Sequence, residues 1–173
     1  RGGGTFDDTD ESWGPRLDAG LMIPQFYSGG QAVPWVSSPN NVRNFFETGR
    51  TVNTSAAFSA AREGASVRLS IANLDQDGMY PGFGLDRTTV GLNGGAELTD
   101  RLHADASVQY LNTEAQNRPA QGYGPDNFMW QFLWFGRQVD TGLLRERMRN
   151  EDGTQYNWNN RWNNNPYWTA LEN

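Results

Sequence analysis

The chain has 173 residues, enough for one domain and few for two. Its net charge of −6 at pH 7 and pI of about 4.7 leave no basic face for phosphates, so we expect no nucleic-acid partner. No apolar run reaches the roughly 18 residues of a membrane-spanning helix, and the lack of cysteine excludes disulfides and thiol catalysis. With 20 glycines and 13% aromatic residues, the composition favours a β protein with long polar loops over a helical bundle.

The first part of the chain predicts little regular structure. Glycine and proline recur up to residue 38, and acidic residues crowd Asp7–Glu11. The segment Ser38–Gly49 then predicts a short helix, with Ser38 as N-cap, Pro39 in the first turn and Gly49 as the C-terminal stop.

From Thr51 the pattern changes to a period of two, which predicts four consecutive strands with one apolar and one polar face. The strands are Thr51–Ala61, Ser66–Ala72, Thr89–Leu98 and Leu102–Tyr110. The predicted apolar face includes Val52, Phe58, Leu69, Ile71, Val90, Leu92, Ala106 and Val108, and the polar face includes Asn53, Arg68, Asn93, Asp105 and Gln109.

The connections between these strands alternate in length. Short turns lie at Glu63-Gly64 and Thr99–Arg101, and longer loops lie at Asp75–Gly84 and after the fourth strand. Tight periplasmic turns and long external loops are typical of an outer-membrane β-barrel, whose apolar face meets lipid. Gly64 and Asp100 would then be periplasmic. The alternative is a soluble antiparallel sandwich whose apolar face packs on a second sheet; the many Ala and Gly on that face favour the barrel.

Beyond Asn112 the alternation stops. The apolar run Phe128–Phe135 predicts a strand or a buried segment lining a loop. Asp140–Asn150 predicts a helix capped by Asp140 or Thr141. The stretch Tyr156–Trp168 interleaves aromatic side chains with asparagines.

Three motifs resemble a known family. Asp10-Glu11-Ser12-Trp13-Gly14-Pro15-Arg16-Leu17-Asp18 resembles the signature of SusC-type (SusC/RagA) TonB-dependent outer-membrane transporters, although Ala19 replaces the usual Gly. Pro39–Gly49 with the following Thr51–Asn53 resembles the segment that leads into a strand of that barrel. Asn165-Pro166-Tyr167-Trp168 resembles its Asn-Pro-Tyr-Trp tetrapeptide.

The resemblance implies an all-β fold: a segment of about four to six antiparallel transmembrane strands, with long external loops and short helices. Residues 1–50 would be an external loop with a short helix, 51–112 four barrel strands, and 113–173 a long aromatic and Asn-rich external region. The family's barrel has roughly 22 strands around a plug, so we expect the chain to be a fragment of a larger protein.

The resemblance also implies a function in the bacterial outer membrane. Proteins of this family import glycans or peptides, pair with a SusD-like surface lipoprotein that acts as a lid, and take energy from the TonB complex. The resemblance implies no cofactor, and a transporter segment of this kind carries no catalysis of its own. The alternative is a soluble, secreted β-sandwich lectin or adhesin that binds carbohydrate through a surface of Trp and Asn.

Aromatic residues flanked by amides suggest sugar recognition, because a ring face stacks on the sugar while amides bond its hydroxyls. The candidate substrate contacts are Trp35, Tyr123, Trp158, Trp162 and Trp168, with Trp13 a weaker one; the alternative is that they pack the loops. For the signature we expect a structural clamp, in which Trp13 is buried and Asp10 and Asp18 accept backbone N–H bonds around Gly14-Pro15.

No residue pattern predicts an enzyme or a metal site. The acidic residues Asp7, Asp8, Asp10 and Glu11, and the sequence Asp75-x-Asp77-Gly78, resemble parts of a Ca²⁺ loop but lack its full ligand spacing, so ordinary turns are expected. His103, the only histidine, lies on a polar strand face beside Asp105, without a nucleophile motif near it.

Overall fold

The computed structural model describes residues 12–159 and 161–172, so Asp7, Asp8, Asp10 and Glu11 lie outside the described residues. The chain divides into two compact units. We call Gly49–Gly78 with Phe83–Gln116 the sheet unit, and the described residues up to Thr48, Met79–Gly82 and those from Asn117 onward the loop unit. Among the described residues, no helix has both the length and the apolar character needed to cross a membrane.

Strands β1 (Met22–Pro24) and β2 (Ala32–Pro34) belong to the loop unit. The sheet unit is a meander of four antiparallel strands, each paired with the next along the chain. The strands are β3 (Arg50–Arg62), β4 (Ala65–Asp77), β5 (Gly84–Thr99) and β6 (Leu102–Gln116). Of the described residues, 41% lie in strands and 15% in helices, so this part of the chain is mostly β, and its sheets are antiparallel. The four predicted strands are therefore confirmed.

The strands extend further than the alternation predicts. Asp75 and Asp77 lie in β4, where they pair with Asp86 and Gly84 of β5, so the predicted loop Asp75–Gly84 shortens to residues 78–83. The Arg50 guanidinium faces both carboxylates, at 3.4 Å from Asp77 and 4.0 Å from Asp75. The ordinary turn expected at Asp75–Gly78 is therefore wrong, because Asp75 and Asp77 both lie on β4.

The tight turns form where they are predicted. Glu63-Gly64 joins β3 to β4, and Gly64 has a φ of +69°, in the left-handed region that glycine adopts without steric cost. Asp100-Arg101 joins β5 to β6, with a shift in the pairing between Glu97 and Thr99.

Pairing across the four strands places the predicted apolar residues on one face. Its rows, from the short turns towards the long connections, are Ala60-Val67-Gly94-Ala106, Phe58-Leu69-Leu92-Val108, Ala56-Ile71-Val90-Tyr110, Thr54-Asn73-Thr88-Asn112 and Val52-Asp75-Asp86-Glu114. The face is thus apolar for three rows, then uncharged and polar, then acidic. The predicted polar residues, including Arg68 and Asn93, lie on the other face, and Arg68 bonds the Ser59 hydroxyl.

Strands β3–β6 contain no buried residue. Phe58 is 65% exposed and Val108 64%, although both lie in the most apolar row. The described chain places no second sheet of comparable size beside β3–β6, since its other sheet consists of two three-residue strands.

The loop unit contains β1 (Met22–Pro24), β2 (Ala32–Pro34), α1 (Asn41–Phe45), α2 (Phe128–Trp134), α3 (Thr141–Glu146) and α4 (Pro166–Leu171). These short elements surround an aromatic core. Its buried residues are Phe26, Phe45, Phe128, Phe135, Val139, Leu144, Trp158, Tyr167 and Ala170.

Several predictions for the loop unit need correction. Of the two alternatives for Phe128–Phe135, the strand is wrong and the buried segment is confirmed, since Phe128, Gln131 and Phe135 are buried. Phe128–Trp134 is a helix capped by the Asn127 side chain, which accepts the Met129 N–H. The helix predicted over Ser38–Gly49 covers only Asn41–Phe45. Asp140 caps α3 as predicted, by accepting the Gly142 N–H, but the helix ends at Glu146. Neither α4 nor the β1–β2 hairpin was predicted.

Candidate functional site

Asn165 holds together the C-terminal part of the loop unit. It is fully buried and is the N-cap of α4, where its side-chain oxygen accepts the Tyr167 N–H at 2.9 Å. Its Nδ2 donates to the carbonyls of Leu144 at 2.8 Å and Tyr156 at 3.0 Å. One amide therefore satisfies polar backbone atoms of three segments.

The rest of the Asn-Pro-Tyr-Trp tetrapeptide packs around this amide. Pro166 occupies the first turn of α4, where its missing N–H costs no bond. The buried Tyr167 ring lies 5.0 Å from the Phe45 ring, and its hydroxyl donates to the Asn44 carbonyl at 3.2 Å. Burial raises the pKa of this phenol. The half-buried Trp168 ring stacks on the Arg149 guanidinium at 4.5 Å.

Asn41 of α1 performs the same task for the loop that precedes α3. Its Nδ2 donates to the backbone carbonyls of Gly136 at 3.2 Å and Val139 at 3.1 Å. The backbone carbonyl of Asn41 accepts the Thr141 hydroxyl at 2.7 Å. Gln131 of α2 likewise donates to the Pro125 carbonyl at 3.0 Å and accepts the Asn164 N–H at 3.0 Å. Buried amides thus replace the regular hydrogen bonds that irregular backbone lacks.

The structure of Ser12–Asp18 differs from the clamp predicted for this motif. Asp10 and Glu11, which belong to the same motif, lie outside the described residues. Trp13 is 86% exposed, so it does not supply the buried ring. Trp35 does, since it is 4% exposed and its indole N–H donates to the Pro15 carbonyl at 3.1 Å. Asp18 pairs through both oxygens with Arg16, at 2.9 and 2.6 Å, and this partner lowers the pKa of its carboxyl.

The five aromatic candidates for substrate contact fall into two groups. Trp35 and Trp158, at 4% and 1% exposure, have no ring face open to a ligand, so for these two a packing role replaces the predicted contact. Tyr123 is exposed, with its ring edge-on to Trp130 at 5.5 Å. Trp162 is 55% exposed, and Trp168 is partly covered by Arg149.

Trp162 lines a hollow of about 370 Å³ in the loop unit. Gln155, Asn157 and Asn164 provide amides to its wall, and Arg161 provides the cation. The Arg161 guanidinium lies 5.0 Å from the centre of the Trp162 ring. The hollow is within the range of about 300–1,000 Å³ that is typical of small-ligand sites, and we take it as the candidate functional site.

No protein-family model and no curated protein matches the chain.

The other candidates from the sequence do not form a site. His103 on β6 lies 3.1 Å from Asp105 in an exposed pair. Among residues 12–159 and 161–172, no three His, Asp or Glu side chains group closely enough to hold a metal ion.

Two residues of the hollow were not singled out from the sequence. The buried Asn159 accepts the backbone N–H groups of Arg161 at 2.9 Å and Trp162 at 3.1 Å. An Asn two residues before the residue it binds is a recognised turn signal, and the Asn-rich sequence contains several such positions. Arg161 was missed because the sequence does not show that the neighbouring Trp162 ring is exposed.

Proposed function

We propose that this chain forms strands and external loops of a SusC-type TonB-dependent transporter in the bacterial outer membrane. In this proposal the sheet unit contributes to the wall of a transmembrane β-barrel, and the loop unit lies on the external side. The parent transporter imports glycans or peptides under a SusD-like lipoprotein lid and is driven by the TonB complex. The role is transport rather than catalysis.

The observation that carries the proposal is the exposed apolar face of β3–β6. None of the described residues buries its three apolar rows, although Phe58 and Val108 are large hydrophobic side chains. A soluble monomer rarely exposes such a contiguous apolar surface, whereas lipid covers it at no cost. The strands have 13 to 16 residues, more than the about 9–11 that a tilted strand needs to cross a bilayer.

The change from apolar to acidic rows along the same face supports the proposal that the long connections are external. The apolar rows end in an uncharged polar row and then in Asp75, Asp86 and Glu114, next to the long connections. Charges are expensive in the hydrocarbon layer, at about 2–4 kcal/mol for Arg at mid-membrane, and become tolerable at the interface. The acidic row therefore fits a position outside the hydrocarbon layer, with the long loops beyond it.

The two edges of the sheet support a larger sheet. In the described sheet unit β3 and β6 each have one paired neighbour, which leaves a long row of backbone groups open on each outer side. Such edges pair with other strands, and a closed barrel satisfies all of them.

The alternative, a secreted β-sandwich lectin, is favoured by one observation, the exposed Trp162 beside amides. It requires a second sheet on the apolar face. A lectin would dissolve without detergent and present Leu92 to protein rather than lipid. Labelling of a cysteine at position 92 by a reagent dissolved in lipid therefore separates the two functions.

Single cysteines test the proposal, since the chain has no cysteine of its own. Leu69→Cys and Leu92→Cys are compared with their neighbours Arg68→Cys and Asn93→Cys, in membranes that contain the parent protein. A maleimide dissolved in the lipid should label the first pair and spare the second, because adjacent side chains point to opposite faces. Labelling of the second pair instead, or equal labelling of both, would reject the lipid-facing assignment.

An epitope insertion tests which end is external. A tag at Pro81 should be reached by antibody on intact cells, and a tag at Asp100 should be reached only after the outer membrane is opened. The reverse pattern would invert the orientation.

A further inference from the structure

The polar face of the sheet unit contains a trough of about 600 Å³. Its side chains come from two neighbouring rows across β3–β6. The rows are Ser59-Arg68-Asn93-Ser107 and Ala61-Ser66-Gly95-Asp105. A guanidinium and a carboxylate therefore face the same trough, and small or uncharged polar side chains lie between them.

The first row divides into two bonded pairs. The Arg68 guanidinium donates to the Ser59 hydroxyl at 3.1 Å, and the Ser107 hydroxyl donates to the Asn93 side chain at 2.7 Å. Arg68 therefore reaches towards β3, and Asn93 is held from the side of β6. A guanidinium has five N–H groups. Among the described residues, the Ser59 hydroxyl accepts one of them, and the exposed Arg68 keeps the others for a ligand.

Gly95 shapes the second row. A Cβ atom at this position would lie 2.6 Å from Oδ1 of Asp105, so the carboxylate reaches over β5 only because glycine has no side chain. The carboxylate also lies 3.1 Å from Nε2 of His103, but the Asp105 side chain is 77% exposed. Since a carboxylate has about four lone-pair positions, Asp105 can accept a further hydrogen bond from a cationic ligand.

The separation of the two charges selects the length of a ligand. Arg68 reaches towards β3 and Asp105 reaches over β5, and their rows lie two residues apart along the strands. With strands about 4.8 Å apart and about 3.4 Å per residue, the charges are roughly 12 Å apart. A single amino acid carries its ammonium and carboxylate on one carbon and does not reach both. An extended peptide gains about 3.3–3.6 Å per residue, so about three residues span the trough.

We propose that this trough binds a short extended peptide of about three residues, with its C-terminal carboxylate on Arg68 and its N-terminal ammonium on Asp105. The Asn93 amide and the Ser66 hydroxyl line the trough and can bond the backbone of the peptide. A neutral glycan would leave both charges unused. The inference rests on the proposed function in one respect, since it selects peptides among the substrates of such a transporter.

Calorimetry on the full protein in detergent tests the inference with three probes. The probes are tri-alanine with free termini, tri-alanine acetylated at its N-terminus and amidated at its C-terminus, and the neutral sugar maltotriose. We expect tri-alanine with free termini to bind about tenfold or more tightly than the other two, because each of them lacks both charged hydrogen bonds. Its affinity should fall as salt is raised, since exposed ion pairs are screened. Equal binding of the blocked peptide would overturn the charge pairing, and preference for maltotriose would overturn the peptide class.

The length of the ligand is tested with alanine alone, which carries the same two charges. It should bind about tenfold or more weakly than tri-alanine, because it reaches only one of Arg68 and Asp105. Equal binding of alanine would overturn the arrangement in which one ligand spans both groups.

Variants assign the contacts. Arg68→Gln and Asp105→Asn should each weaken tri-alanine binding about tenfold. Gly95→Ala should weaken it without a change of charge, because the new Cβ displaces the Asp105 carboxylate. The matched controls on the same sheet, outside the trough, are Arg87→Gln, Asp86→Asn and Gly84→Ala, which should bind like the parent.

The outcome is separable from the membrane assignment. If tri-alanine binds as described but a cysteine at position 92 is not labelled from lipid, the peptide site stands without a role in transport, and the transporter proposal fails. If position 92 is labelled from lipid but tri-alanine does not bind, or the control variants lose binding as much as Arg68→Gln, the inference fails and the transporter proposal stands.

Discussion

The two units use apolar residues in opposite ways. Strands β3–β6 bury no residue, whereas every residue that the structure describes as buried lies in the loop unit. In the sheet, backbone groups are satisfied by neighbouring strands, so side chains remain available for an outward apolar face. In the loops, buried amides such as Asn41, Gln131 and Asn165 satisfy the backbone around an aromatic core. The abundance of asparagine therefore reflects loop construction in large part.

The largest expected effect separates the two units by stability. Trp158→Ala removes an indole that is 1% exposed and packs edge-on against Phe135 at 5.6 Å. We expect it to destabilise the loop unit by about 3–5 kcal/mol, as for other buried aromatic truncations, and to leave the sheet unit unchanged. Thermal unfolding followed by near-ultraviolet circular dichroism measures this. The control Trp13→Ala should change stability by less than about 0.5 kcal/mol; an equal loss in both variants would contradict the core assignment.

A charge on the apolar face gives the corresponding effect in the sheet. Leu92→Arg places a guanidinium in the middle apolar row and should cost about 2–4 kcal/mol when that row meets lipid. The neighbouring Asn93→Arg, on the polar face, should fold normally. Denaturant unfolding of the protein in lipid vesicles gives both values. If both variants are neutral, the face does not contact lipid.

Loss of a single amide tests how the loop unit is held together. Asn165→Ala removes a helix cap and leaves the carbonyls of Leu144 and Tyr156 without their donor. We expect a loss of about 2–3 kcal/mol in the free energy of unfolding of the loop unit. Asn44→Ala, at an exposed position in α1, is the control and should change it by less than about 0.5 kcal/mol. A neutral Asn165→Ala would show that water replaces the amide.

Alkaline pH should weaken the loop unit gradually. Burial raises the pKa of Tyr167 and Tyr156 above the ordinary value of 10.0. Stability is therefore complete below pH 10.0, and it falls above that pH because the unfolded chain ionises first; the loss continues until the raised pKa is reached. Unfolding measured across this range, with tyrosinate absorbance as the titration signal, tests it. Tyr167→Phe should flatten the dependence, and an unchanged slope would exclude Tyr167 as its source.

Local patterns in the sequence determined the sheet. Alternation of period two located all four strands and assigned Leu69 and Leu92 to one face, because side chains alternate in any extended strand. The glycine at position 64 predicted a tight turn, and its φ in the structure is left-handed. Asp140 predicted the start of α3, which its side chain caps. These features depend on residues close in the chain, so they can be predicted without tertiary contacts. The strand ends depend on tertiary contacts, since Asp75 and Asp77 join β4 through partners on β3 and β5.

Tertiary structure decided most of the loop unit, for which the sequence predicted only the start of α3 and a short helix within Ser38–Gly49. The apolar run at residues 128–135 is compatible with a strand or a helix, and packing of Phe128 against Phe45, at 5.0 Å, accompanies the helix that forms. Trp35 and Trp13 look alike in sequence, but one is buried and the other exposed. The bonds from Asn41 join residues 95 and 98 positions apart. Burial in irregular segments depends on such distant contacts, because no periodic pattern announces which side chain will face the core.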